Sequence, residues 1–226
     1  MDKLCDLLDI RPGVTALIGG GGKTTLMDTL AAELRRRGTV IVTTSTHIRC
    51  PADYPVLTSG DEKAVSAALA RSGAVCVAAE SVEGKLTAPA LPFEALSALA
   101  DFVLVEADGA KRLPLKAHAP HEPVIPACAR QTVYVLGADG FGRPIRQVCH
   151  RPERYAALCG AAQDDPVTPA LAAAVLRAEG YGSGLVYLNK VESAEDWRNA
   201  EAFAALLPAA VAAGSLWKGT YRTLRE

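Results

Sequence analysis

An α/β fold, with a mostly parallel central sheet and helices on both faces, is predicted by three observations. Six short apolar runs are separated for the most part by segments of helical periodicity. One of those runs breaks into four consecutive glycines followed by Lys23, Thr24 and Thr25. No apolar stretch approaches the length of a membrane span, so the alternating elements must pack against one another in water.

The first strand is expected over 14–18, and the glycines at 19–22 lead into a helix over 23–37. Leu26, Leu30 and Leu34 recur there at helical spacing with Met27 and Ala31 beside them, and Arg35, Arg36, Arg37 and Gly38 supply cations and a stop. Further strands are expected at 39–43, 74–79, 102–106, 132–137 and 184–188, and further helices at 62–72, 92–100, 152–160, 169–179 and 193–207. Glu83 and Gly84 suit a hairpin between the run 75–77 and Lys85-Leu86-Thr87, which would add an antiparallel edge. The alanine-rich segments 170–178 and 200–213 are expected as helical packing, because Leu171, Val175, Leu206 and Leu207 are interleaved. Residues 107–128 form a long connection holding Pro114, Pro120, Pro123 and Pro126, of a length more often functional than idle. No linker divides the chain, so 1–226 is expected to be one domain.

Composition narrows the class further. Half of the 226 residues are hydrophobic and 22% are charged, as in a soluble globular protein. A formal net charge of −1 argues against a broad nucleic-acid footprint, and no leader pattern suggests export. The six cysteines, at 5, 50, 76, 128, 149 and 159, contain no Cys-x-x-Cys pair and suit a reducing, cytoplasmic setting.

The segment Gly19, Gly20, Gly21, Gly22, Lys23, Thr24, Thr25 has the composition of a phosphate-binding loop. Glycines let backbone N–H groups close around a polyphosphate, the lysine neutralises β/γ charge, and the first hydroxyl can ligate Mg²⁺. The usual pattern has a further glycine five positions before the Gly-Lys pair, where this chain has Leu17. A dinucleotide-binding Gly-x-Gly-x-x-Gly competes for the same residues but fails at Thr24, and the second strand ends in Thr43-Thr44-Ser45-Thr46 where a ribose-binding acid belongs. Strand, glycine loop and helix in this order predict a P-loop NTPase-like three-layer sandwich.

Two further signals follow apolar strands. Glu106 and Asp108, in Glu-Ala-Asp-Gly, sit where a carboxylate would complete a Mg²⁺ site or orient an attacking water. Glu106 is the candidate for the metal, with Thr24, and Asp108 for either role; both could instead satisfy backbone N–H groups. Asn189, Lys190 and Glu192 resemble the Asn-Lys-x-Asp element with which GTPases read guanine, with the acid one methylene longer; Glu192 or Ser193 could equally cap the next helix. ATP and GTP both remain admissible.

With these residues in hand, the chain resembles the YqeC family, described as accessory proteins for selenium-dependent molybdenum hydroxylases. The similarity runs through the glycine loop, the segment 43–47, Glu-Ala-Asp-Gly-Ala-Lys-Arg-Leu-Pro-Leu-Lys at 106–116, His-Glu-Pro-Val-Ile-Pro at 121–126, and the segments 137–144, 150–153 and Asn189-Lys190. The resemblance implies a nucleoside-triphosphate-binding protein that helps to mature such an enzyme, with that hydroxylase or a cofactor-modifying protein as partner. The leading expectation is a Mg²⁺-dependent nucleoside triphosphatase or phosphotransferase with Lys23, Glu106 and Asp108 as its catalytic residues, and the alternatives are a non-catalytic switch or chaperone and a small-molecule kinase. In the family Gly20 is often alanine, an exchange expected to be harmless, and Glu192 is often aspartate. In this context Lys111, Arg112, Lys116, His118 and His121 are expected to gather beside the γ-phosphate, and His47 to lie near the ligand edge. A metal site on His118, His121 and Glu122 is disfavoured because Pro120 and Pro123 do not suit a helical face, and no spacing supports a reactive thiol at Cys50 or Cys149.

Overall fold

The computed structural model describes residues 3–81 and 84–225. Nine strands form the central sheet in the order Thr220–Arg225, Ala210–Ser215, Leu185–Asn189, Ala129–Gly137, Gly13–Gly19, Phe102–Glu106, Val40–Thr44, Ala74–Val77, Val56–Leu57. Every neighbouring pair is parallel except the first, where Thr220–Arg225 returns antiparallel along Ala210–Ser215. The strand that feeds the glycine loop is central, and its neighbour Phe102–Glu106 sets Leu17 opposite Glu106.

Alternation along these strands divides the core between two faces. Leu17, Val40, Val42, Leu104, Val133 and Val135 pack beneath the helix Lys23–Leu34 and the short helix Leu4–Leu7. On the opposite face, Val14, Ile41 and Val103 meet the helices Glu62–Ser72 and Phe93–Leu99. Ile18, Leu136, Val186 and Leu188 on that face meet Pro152–Cys159, Pro169–Ala178 and Ala194–Ala205. The result is the three-layer α/β sandwich expected from the alternation.

Helix starts follow local chemistry. Asp61 accepts from the Lys63 N–H, Thr168 caps ahead of Pro169, and Ser193 with Asp196 forms a capping box. The cap of that last helix is therefore Ser193 and not Glu192. None of the described helices is long and apolar enough to cross a membrane.

Two expectations need correction. The alanine-rich segment 200–213 is helical only to Ala205 and then becomes the strand Ala210–Ser215, whose Val211, Ala212 and Ala213 are buried within the sheet. Small residues suit it because a Cβ on Gly214 would lie 2.0 Å from the Thr220 carbonyl oxygen of the returning strand. The antiparallel edge is thus C-terminal. The pairing of Ala79–Glu80 with Lys85–Thr87 instead joins His47–Arg49 in a separate three-stranded sheet, with Glu83 of the expected turn outside the described residues. The connection after Phe102–Glu106 is braced as a strap: Leu115–Lys116 pairs with Cys149–His150, and the Pro114 carbonyl accepts from the Gly137 N–H.

Candidate functional site

The strand Gly13–Gly19 extends through Leu17, which is fully buried, so the turn into the helix spans only 20–22. The missing glycine is therefore a residue of the strand core and not of the loop. Three loop amides brace the turn against protein: Gly19 N–H donates to Asp108 Oδ2 (2.8 Å), Gly20 N–H to the Val135 carbonyl (2.9 Å) and Gly21 N–H to the Leu113 carbonyl (3.1 Å). What faces the opening is the first turn of Lys23–Leu34, entered through Gly22 at φ 118°. A helix N-terminus there presents N–H groups without intrahelical partners and favours an anion.

Gly20 can take a Cβ in this chain only if its surroundings shift, so the exchange for alanine is not expected to be harmless. An added Cβ would sit 2.7 Å from the Leu113 carbonyl oxygen and 2.8 Å from that of Pro114, both backbone atoms that also brace Gly21 and Gly137. Gly20→Ala is expected to cost about 1–3 kcal/mol by overpacking and to lower the thermal midpoint by several degrees. An unchanged melt would mean that the strap yields at 113–114.

Lys23 folds back over the loop, buried, donating to the Gly19 carbonyl (2.7 Å) and pairing with Asp108 Oδ1 (2.9 Å) and, at 3.8 Å, with Glu106 Oε1. The Thr24 hydroxyl donates to Glu106 Oε2 at 2.9 Å. Burial pushes the Glu106 carboxyl above the usual range, against the opposing pull of the Lys23 charge and the Thr24 hydroxyl. Asp108 is different. It is 0% exposed, and Oδ2 also meets His118 Nε2 (2.7 Å) and Lys116 Nζ (3.2 Å). Burial works to raise its pKa, yet the His118 hydrogen bond, the charges of Lys23 and Lys116 and the Gly19 N–H hold it well below the ordinary carboxylate value. These surroundings suit an anchor for the glycine loop better than a base that orients water.

The basic residues of the strap divide. Lys116 is buried, donating to the Gly109 carbonyl (2.6 Å) and pairing with Asp108 and with Glu122 (2.8 Å), which Arg151 also meets at 2.6 Å. His118, not His121, is the histidine turned inward: Nδ1 meets Glu179 Oε2 and Nε2 meets Asp108 Oδ2, both at 2.7 Å. Burial opposes its protonation, but the two carboxylates win and raise its pKa. Lys111 and Arg112 are exposed, both in the left-handed region at φ 48° and 63°, and His121 is exposed. His47 lies exposed on the separate small sheet.

At the late strand, Asn189 ties two loops together. Its amide Nδ2 donates to the Gly21 carbonyl (2.8 Å), and its Oδ1 accepts from the Leu216 N–H (3.1 Å). Lys190, at φ 62°, pairs with Asp139 (2.7 Å), and Glu192 Oε1 accepts from the Ser215 hydroxyl (2.7 Å). Between these residues and the helix N-terminus opens a cavity of about 580 Å³, bordered by Gly22, Thr25, Asn189, Glu192, Leu216 and Trp217. Sequence reasoning missed Glu179, which caps a helix far along the chain, and the turn 215–217. Trp217, an isolated tryptophan in a turn, was the available signal for the latter.

All six thiols are free. Burial pushes Cys76 up to about 12 and Cys5 to about 11, and raises Cys149 further, which makes these three inert; Cys50 is exposed. Among the described residues no group of three or more His, Cys, Asp or Glu side chains could hold a metal.

The chain is similar to known proteins in three comparisons. A structure of the 54 kDa signal recognition particle protein from Aeropyrum pernix K1, solved with GDP, matches 94% of this chain and 44% of that one at 16% identity, with a TM-score of 0.44. The YqeC protein of Escherichia coli (strain K12) is 33% identical over 164 residues, 68% of this chain, and the match spans 63% of the relative's length. The model of the family described as YqeC protein matches residues 15–153, from the first strand through the glycine loop, the two carboxylates and the strap. With more than half of its length under that match, including the loop and the strap that braces it, the chain belongs to the YqeC family.

Proposed function

We propose that this chain binds a Mg²⁺-complexed nucleoside triphosphate, ATP or GTP, and acts as a slow nucleotide-dependent accessory in the maturation of a selenium-dependent molybdenum hydroxylase. The observation that carries the reading is the meeting of Lys23, Thr24 and Glu106 at one helix N-terminus, beside a cavity large enough for a nucleoside. The process it serves rests on membership of the YqeC family.

The donors fit the metal. A Thr24 hydroxyl and a Glu106 carboxylate 2.9 Å apart are hard oxygen ligands, and Mg²⁺ is commonly held by one or two carboxylates together with phosphate oxygens and water. Once bound, the ion would neutralise charge on the β- and γ-phosphates. Lys23 supplies the neighbouring positive charge, and the first-turn amides supply hydrogen bonds to phosphate oxygen. Asp108 already carries four partners in the interior, so no proton transfer is assigned to it, and this favours a switch over a fast hydrolase.

Calorimetric titration with ATP and with GTP, each with Mg²⁺ and with EDTA, tests the reading. Wild type is expected to bind more tightly with Mg²⁺, and Glu106→Gln is expected to lose most of that gain while keeping the metal-free affinity. Equal Mg²⁺ dependence in both proteins would remove Glu106 from the metal site. Turnover by the isolated chain is expected to stay below about 0.01 s⁻¹, the range of unassisted switch GTPases; rapid multiple turnover would overturn the switch reading.

A further inference from the structure

Trp217 is 91% exposed, on the turn that joins Ala210–Ser215 to Thr220–Arg225. Tryptophan is highly buried on average, and its ring carries more apolar surface than any other side chain, so an open one calls for an explanation. The other tryptophan, Trp197, is half-buried and has the Arg222 guanidinium 4.2 Å above its ring. Among the described residues no ring or cation stacks on Trp217.

The ring is open to solvent, but hydrogen bonds fix the backbone that carries it. On one side Ser215 Oγ donates to Glu192, and the Leu216 N–H donates to Asn189 Oδ1. On the other side the Lys218 N–H donates to Ser215 Oγ at 3.2 Å, and Lys218 Nζ donates to the Glu192 carbonyl at 3.2 Å. These bonds hold an unpartnered aromatic at the border of the cavity whose other end is Gly22 and Thr25 at the helix N-terminus. The Glu192 carboxylate, whose Oε1 accepts from Ser215, lines the same cavity and has acceptor capacity left for N–H groups on the edge of a flat heterocycle. One end of the cavity thus suits phosphate and the other a planar π-system.

We propose that Trp217 is the stacking platform for the base of the bound nucleotide. The proposal rests on the nucleotide-binding reading and adds the residue that converts phosphate binding into nucleoside binding. Because every base has a π-face, the platform serves adenine and guanine alike.

Tripolyphosphate, ATP and GTP, each with Mg²⁺, are the probes, with wild type, Trp217→Ala, Trp217→Phe and Trp197→Phe as the proteins. Trp217→Ala is expected to weaken both nucleotides by about 5- to 150-fold, the range for loss of one base–aromatic stack, and to leave tripolyphosphate unchanged. Trp217→Phe should recover part of the loss. In Trp197→Phe, where Trp217 is the only fluorophore of its kind, the nucleotides should quench emission and tripolyphosphate should not. Unchanged nucleotide affinity in Trp217→Ala, with no quenching, would overturn the stack and leave the phosphate site standing. Failure of wild type to bind either nucleotide or tripolyphosphate would overturn the nucleotide reading itself. As the Trp217 side chain is open to solvent, both Trp217 variants should keep the wild-type circular dichroism spectrum.

Discussion

Replacing Asp108 with alanine is expected to cost about 3–5 kcal/mol of stability, the range for removing one member of a buried ionic network. The carboxylate sits among two lysines, a histidine and the first amide of the glycine loop, all in the interior. Without it Lys116 still has Glu122, and His118 still has Glu179, but Lys23 keeps only the Gly19 carbonyl and a longer contact with Glu106. Asp108→Asn, which keeps an acceptor for Gly19 and removes the charge, should lose less. The pH dependence has two limbs. Asp108 has a depressed pKa, so its contribution is present above the unfolded value near 3.9 and is lost as pH falls toward the folded one. His118 faces Asp108 and Glu179, with the Tyr134 and Tyr181 rings against it, and its pKa is raised. Its contribution is full below about 6.5 and fades as pH climbs through the folded value. Urea melts of wild type and Asp108→Asn should therefore differ most between about pH 4 and 6.5. A gap that stays constant from pH 3 to 9 would show that the pair does not govern stability.

The central strands were legible because a strand buried on both faces has to be a continuous apolar run, as in Phe102–Glu106 and Leu185–Asn189. Ala210–Ser215 was not, because alanine favours a helix locally and the choice is made by its neighbours: Val211 pairs with Val186, and Gly214 admits the close return of Thr220. Thr220–Arg225 is an edge strand, exposed or half-buried at every position, with no apolar run to betray it. The site divides along the same line. Lys23, Thr24 and Glu106 were readable because their chemistry is local to a strand end or a helix start. Whether Asp108 faces water or three cations depends on a strap that folds back over it, and that strap also selects His118 over His121. Glu179, 61 residues from His118 in the chain, carries no local signal.

Lys23→Ala is expected to weaken triphosphate binding by about 100- to 1000-fold. At an effective dielectric of about 20, a unit charge about 4 Å from a phosphate is worth roughly 4 kcal/mol, and solvent screening together with the remaining first-turn amides offsets part of that. The loss is larger than for a lysine in isolation. Glu106 and Asp108 lie 3.8 and 2.9 Å from the ammonium, so removing it also leaves two carboxylates facing an incoming polyanion. The fold should weaken as well, by about 1–3 kcal/mol, because Asp108 Oδ1 has Lys23 as its ion partner and no hydrogen-bond donor among the described residues. Binding is therefore to be measured well below the melting transition of the variant. Tripolyphosphate separates this variant from the one at the far end of the cavity: Lys23→Ala should lose tripolyphosphate and nucleotides in equal proportion, whereas Trp217→Ala should lose nucleotides alone. If Lys23→Ala kept wild-type affinity for tripolyphosphate, the anion would have to bind elsewhere than at this helix N-terminus, and the cavity beside it would lose its claim on the nucleoside.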